Sequence, residues 1–333
     1  CGTRLRSLGS RLGDRSVRVF TREFIWIAIG HAVTIIAGLL SIRFYTELAP
    51  REVLAGASLL MGTMTLLMNL VVAPLTQTQM RYQAEYSRQG QGDTYQVFIL
   101  YHALLATLIA MLPMAAGLAV WPAARLGGGV IVIPMLAIWA LSTTLRNVLV
   151  GRLNADRRQK KYSHFIAWEA VLIGLATADA LYVWKSIEAF IAGQVIGLLV
   201  AVSLSRRCIP VLCKRVSTGV GMRHMEWRRV YLYGVPFAAI FVLEWLVNQT
   251  DRYILATHMP LDAVGIYVAA FMLASRPAML VGTILSDLFR PVLFAASSLS
   301  SSAIKKIWTV WFGIQLIGTI GIVAVFFLAG ELI

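Results

Sequence analysis

Nine stretches of this chain, roughly 24–45, 54–76, 97–120, 129–150, 165–184, 187–205, 230–257, 263–288 and 307–329, run for about twenty residues with few charged side chains among them. A helix needs about 20 apolar residues to cross the hydrocarbon core of a bilayer. No water reaches the backbone there, so each segment must satisfy its own N–H and C=O groups, which a helix does. A transmembrane barrel would show short alternating strands instead. Composition agrees: 58% of residues are hydrophobic and 14% charged, against about 45–50% and about 25% in soluble domains. The expected fold is an all-α polytopic membrane protein with nine transmembrane helices. Soluble enzymes and secreted disulfide scaffolds are excluded.

The net charge of +14 would suggest nucleic acid in a soluble protein. In a membrane protein it sets orientation, because Lys and Arg collect in cytoplasmic loops. With the N-terminus inside, segments 1–23, 77–96, 146–164, 205–229 and 290–306 hold 24 of the 30 basic residues. A cytoplasmic N-terminus is therefore expected, with short outer loops that leave no room for an external domain. Cys1, Cys208 and Cys213 show neither disulfide nor metal spacing. The first apolar segment is too long for a cleavable signal and lacks a cleavage site.

The most basic connector, 206–229, separates six segments from three. The expected organisation is a six-helix lobe over 1–205, the connector, and the first three helices of a second lobe over 230–333. An offset of 209 residues supports this division. It places Arg43 on Arg252, Gly56 on Gly265 and Arg81 on Arg290, as parallel repeats do in transporters. If segments seven to nine repeat one to three, a parent chain would carry roughly 80–100 further residues after Ile333.

Enzymatic motifs are scarce. The sequence holds no HExxH, nucleophile elbow or P-loop, and His164 and Glu169 form no acyltransferase-like pattern. Asn248-Gln249-Thr250 fits a glycosylation site but lies inside the seventh segment. No catalytic group, metal site or cofactor is expected.

The informative residues are ionisable groups at membrane depth, which are costly against lipid and face a cavity or a partner. In the seventh segment Glu244, Asn248, Asp251 and Arg252 share a face at spacings of 4, 7 and 8, given 3.6 residues per turn. Asp251 and Arg252 suit stabilising the outer end of that helix and the following turn better than contact with a substrate. Arg276 sits near the middle of the eighth segment, before Pro277, and Asp179 lies in the fifth. The first segment carries a stripe of His31, Thr34, Gly38 and Ser41, with Arg43 on another side. His31 suits a cavity or a packing hydrogen bond, and Arg43 a cavity or a headgroup reached by snorkelling. Arg276, far from both interfaces, points to a hydrated cavity or a buried ion pair. There a guanidinium could fork onto a phosphate. Arg276, Arg43, His31 and Asn248 are thus the candidate substrate-binding residues. Asp179, Glu244, Asp251 and Arg252 are candidates for ion coupling or structural charge.

The stretch Asn248-Gln249-Thr250-Asp251-Arg252-Tyr253-Ile254-Leu255, followed by Leu261-Asp262-Ala263-Val264-Gly265-Ile266-Tyr267, resembles a recurring feature of bacterial polysaccharide flippases. There a helix-7 Asp-Arg element leads through a short outer turn into Val-Gly-Ile-Tyr. Ile42-Arg43-Phe44-Tyr45, Pro50-Arg51-Glu52 and Gly56 resemble the family's first outer turn, with two extra residues, and Arg81-Tyr82 its inner end of helix 2. The resemblance implies an O-antigen repeat-unit flippase of the multidrug, oligosaccharidyl-lipid and polysaccharide exporter superfamily, with two six-helix lobes about a central cavity. Such proteins carry undecaprenyl-pyrophosphate-linked oligosaccharides across the bacterial inner membrane by alternating access, without ATP of their own. Implied partners are that glycolipid, membrane lipids and polysaccharide polymerase or assembly proteins, and not nucleic acid. Two alternatives stay open. One is an ion-coupled drug or metabolite exporter on the same scaffold, for which Asp179 or Glu244 would supply acidic groups. The other is a membrane-embedded glycosyl- or acyltransferase or polymerase.

Overall fold

The computed structural model describes residues 2–120, 131–205, 227–296 and 301–329. They form ten helices: α1 (Gly2–Leu48), α2 (Arg51–Val71), α3 (Ala73–Arg88), α4 (Gly92–Val120), α5 (Val132–Ala155), α6 (Gln159–Val183), α7 (Ile187–Ser205), α8 (Trp227–His258), α9 (Leu261–Ala296) and α10 (Ser301–Ala329). The chain is an all-α polytopic membrane protein. Eight helices are long and apolar enough to cross a bilayer, and α9 carries a shorter apolar stretch at Leu261–Ser275. Most of the connector at 206–229 lies outside the described residues.

The second apolar segment does not stay one straight helix. Pro74 stands in the first turn of α3, where its missing N–H breaks the ladder, and the chain re-enters a helix at once. Short turns join α1 to α2, α6 to α7 and α8 to α9 at one end of the bundle. The opposite end, where α3 meets α4 and α5 meets α6, is called here the basic end. Both of its turns close in the same way. Gly90 has φ 75° and Arg157 has φ 55°. In each, the next residue's N–H bonds back five positions, Gln91 to Tyr86 and Arg158 to Leu153, which satisfies carbonyls left open by the helix end. Arg157 holds this left-handed position without a glycine's freedom, and its guanidinium pairs with Glu23 of α1.

Packing follows small residues. Gly193 and Gly197, four apart on α7, meet the backbone of Thr177 and Ile173 on α6 so closely that a Cβ would fall within 2.4–2.5 Å of it. Such small-residue seams let helices approach where no hydrophobic force between helices operates. Outward surfaces are apolar: Leu112, Val247, Ile317 and Phe327 are 70%, 82%, 74% and 84% exposed, as lipid-facing side chains should be.

The three last helices reach the first seven through α8 and α9. Val230, near the start of α8, joins a cluster with Leu75 and Tyr82 of α3, while Ile27 of α1 packs with Leu285, Leu288 and Phe289 of α9. At the other end Ala55 of α2 packs on Val264 and Val268. There a Cβ on Gly265 would lie 2.2 Å from the Arg51 carbonyl. These contacts leave a space between the helix groups.

Candidate functional site

That space is a cavity of ≈ 690 Å³ lined by α1, α2, α5, α6, α7, α8 and α9. Hydroxyls and amides recur along its wall, among them Thr34, Ser41, Thr46, Ser58, Thr65, Gln194 and Gln249, between apolar patches such as Ile35, Leu54, Met61 and Phe190. Its charged residues fall into two groups.

Toward the basic end, Asp287 of α9 gathers donors from three other helices. Its Oδ2 accepts from the Tyr162 hydroxyl and lies 2.9 Å from His31 Nε2. Its Oδ1 accepts from Asn154 Nδ2 at 3.2 Å, and Gln159 fixes that amide by donating to Asn154 Oδ1 at 2.9 Å. Deeper in the wall, Arg146 donates to both oxygens of Glu169 at 2.6 Å and to Asn147 Oδ1 at 3.1 Å. Arg146 stands nine residues before the end of α5, about 14 Å along the axis. A planar fork on a carboxylate is the geometry that suits a buried pair.

Toward the other end stands Arg252, six residues before the end of α8 and so about 9 Å inside it. It is 5% exposed. Nη1 donates to Ser58 Oγ at 2.8 Å, and the guanidinium carbon lies 4.8 Å from the Phe271 ring centroid. Among the described residues no carboxylate forms an ion pair with it. The neighbouring Asp251 is turned elsewhere, one oxygen on the Arg252 backbone N–H and the other on the Tyr267 hydroxyl.

Of the candidate site residues named from sequence, His31 and Arg252 line the cavity, and Thr34, Gly38 and Ser41 of the first segment's polar stripe line it with His31. Arg43 does not; it is exposed and bonded to Glu47 one turn on. Asp179 and Glu244 are exposed as well. Asn248 is half-buried and donates to its own helix at the Glu244 carbonyl. The side chain of Arg276 lies outside the described residues.

The inward face of α8 is displaced by one residue from the sequence reading. Trp245, Gln249, Arg252 and Tyr253 keep the 4, 7 and 8 spacing, and three of them reach α2: Trp245 Nε1 donates to the Gly62 carbonyl, Arg252 to Ser58 and Tyr253 to the Leu59 carbonyl. One residue is about 100° of helix, enough to exchange Glu244 and Asn248 for Trp245 and Gln249.

Sequence reasoning missed Asp287, Arg146, Tyr162 and Asn154 as site residues. Arg146 falls where the fourth apolar segment, 129–150, overlaps the basic segment 146–164; α5 continues to Ala155 and places it in the cavity wall. Asp287 sat at the edge of an apolar segment that extends to Ala296 as helix. The detectable signal was a charge at helical spacing from the segment interior.

Residues 20–297 match the profile of a family described as "Polysaccharide biosynthesis protein". Among solved structures, the chain is similar to one described as "Crystal structure of MATE in complex with MaD3S". The TM-score is 0.62 at 14% identity, over 94% of this chain and 73% of that one. No curated protein matches the sequence.

Proposed function

Because the chain belongs to the polysaccharide biosynthesis protein family and shares the helical fold of a MATE structure, we propose that it is a flippase for undecaprenyl-pyrophosphate-linked oligosaccharides. On this reading it works in the bacterial inner membrane with its N-terminus in the cytoplasm. It moves substrate by alternating access and makes or breaks no covalent bond.

The observation that carries the proposal is the cavity wall. An oligosaccharide presents many hydroxyls, and a wall of Thr, Ser and Gln side chains at membrane depth replaces the hydrogen bonds that those hydroxyls lose on leaving water. The volume of ≈ 690 Å³ lies within the range of about 300–1,000 Å³ common for small-molecule sites. The prenyl tail remains in lipid, where it costs nothing to leave.

Export of organic cations on the same scaffold would need an available carboxylate in the cavity. Glu169 and Asp287 line it, but each is held by protein donors. Asp179 and Glu244 are not part of its lining. The test is reconstitution into liposomes with a fluorescent polyprenyl-diphosphate oligosaccharide. The proposal expects protein-dependent transfer between leaflets of this lipid and no transport of an organic cation. The reverse pattern would replace it with the exporter reading.

A further inference from the structure

A second groove, of ≈ 310 Å³, lies between α3, α4 and α8 and shares no lining residue with the central cavity. Its floor is backbone. Gly234 of α8 approaches the helix break at Pro74 so closely that a Cβ would stand 3.0 Å from the Pro74 carbonyl. Leu70, Leu105, Ile109 and Val235 along its edges are all exposed. Exposed apolar edges at membrane depth face acyl chains, so the occupant enters from the lipid. On α8 the lining runs from Val230 to Ala238, about 12 Å of helix. That is most of one leaflet's share of a hydrocarbon core about 30 Å thick.

The end of the groove toward the basic end is polar. His102 of α4 meets the Tyr231 ring at 6.0 Å, and Tyr231 meets Trp227 at 6.4 Å, both edge-on. Trp227 is exposed, as tryptophans at headgroup level are. His102 Nδ1 lies 2.8 Å from the Phe98 carbonyl and so donates to it. Nε2, on the outer edge of the ring, has no partner among the described residues. A polar atom among apolar neighbours is costly until something meets it. Cations gather one turn further out. Arg228 stands three residues before Tyr231, and Arg81 three after Thr78, each on the face of a lining residue. Arg81 and Arg229 both lie over the Tyr82 ring, at 5.7 and 5.0 Å, and Glu85 beside them pairs with Arg229.

We infer that this groove binds an anionic phospholipid from the leaflet at the basic end. One acyl chain lies between α4 and α8, the ester region meets His102, and the phosphate sits beside Arg228 and Arg81. An imidazolium donates to ester and phosphate oxygens directly, and a neutral ring reaches them through water. An isoprenoid chain carries no polar atom below its phosphate to meet that ring. A zwitterionic headgroup would bring a further cation to a place where arginines already gather. The inference goes beyond the transporter reading and does not depend on it.

The test is native mass spectrometry of the full chain, delipidated in detergent and titrated with palmitoyl-oleoyl phosphatidylglycerol or phosphatidylcholine. The readout is the affinity of the first lipid bound. Phosphatidylglycerol should bind about tenfold more tightly or better, and Arg228→Gln should weaken it about fivefold, the share of one cation beside an anionic headgroup. His102→Phe keeps a ring without its nitrogens and should weaken both lipids about threefold. Ala106→Phe puts a ring into the groove and should remove the tight site. Should that variant fail to elute as a single species, Ala238→Phe fills the groove from α8. Lys185→Gln, an exposed charge at the other end, should change nothing. Equal affinity for the two lipids overturns the inference, as does wild-type affinity in Arg228→Gln or in a groove-filling variant. Displacement of phosphatidylglycerol by a polyprenyl phosphate would assign the groove to a prenyl chain and overturn it as well. Flipping does not enter this readout, so the transporter reading stands or falls separately.

Discussion

The two ends of the cavity handle buried charge in opposite ways. At the basic end every oxygen of Asp287 and Glu169 meets a donor, and the donors come from α1, α5 and α6 while Asp287 belongs to α9. At the other end Arg252 has a hydroxyl, a ring face and a buried Nε without a hydrogen-bond partner. A charge whose donors and acceptors are all met from several helices holds those helices together. Asp287 ties the last helices to the first seven beside the contact of Ile27 with Leu285 and Leu288. Arg252 ties little.

The comparison breaks most readily at the saturated end. Glu169→Ala leaves the half-buried Arg146 without its counter-ion and should lower stability by roughly 2–4 kcal/mol, somewhat less than for a fully buried pair, seen as a large fall in the thermal unfolding midpoint in detergent. The double variant with Arg146→Ala should unfold at a higher temperature than Glu169→Ala alone. If the double is worse than the single, the pair is not behaving as a saturated unit.

Asp287→Ala should come next, at roughly 2–4 kcal/mol, because it strands donors on His31, Tyr162 and Asn154. In the folded fraction it should also raise labelling of a cysteine placed at Ala170, inside the cavity, by a membrane-impermeant thiol reagent added on the basic side. Cys1, Cys208 and Cys213 would be replaced beforehand. Equal labelling with and without Asp287 would show that this cluster does not close the cavity.

At the unsaturated end the sign should reverse. Arg252→Met removes a guanidinium with no counter-ion and keeps most of the apolar volume, so stability should stay within about 1 kcal/mol or rise. A fall comparable to that of Asp287→Ala would make Arg252 a structural residue.

The smallest effect concerns Arg157. Glycine suits its φ of 55° and should gain up to about 1 kcal/mol, and loss of the pair with Glu23 offsets part of that. Arg157→Gly should therefore shift unfolding by less than about 1 kcal/mol, measured by denaturant or thermal melts.

The helices were legible because apolar length in a membrane protein is a nearly sufficient statement of structure. All nine apolar segments correspond to helices, and the proline break at Pro74 divides only the second. The site was less legible for two physical reasons. Hydropathy falls where charge begins, so Arg146 and Asp287 stand at the last few positions of the segments 129–150 and 263–288, although α5 and α9 run on to Ala155 and Ala296. Spacing identifies a face without saying which neighbour covers it. Glu244 and Asn248 share the period of Trp245 and Gln249, and only packing against α2 separates them. The offset of 209 pairs Arg43 with Arg252, yet the first is exposed beside Glu47 and the second buried beside Ser58.

The measurement that bears most directly on the central claim is sided transfer of a lipid-linked sugar by the reconstituted chain. Liposomes would carry a fluorescent polyprenyl-diphosphate oligosaccharide, with the outer-leaflet pool removed by an impermeant glycosidase over time. Wild-type protein should make the protected inner-leaflet pool accessible to the enzyme. Equal protection with wild-type protein and with protein-free liposomes would contradict the account.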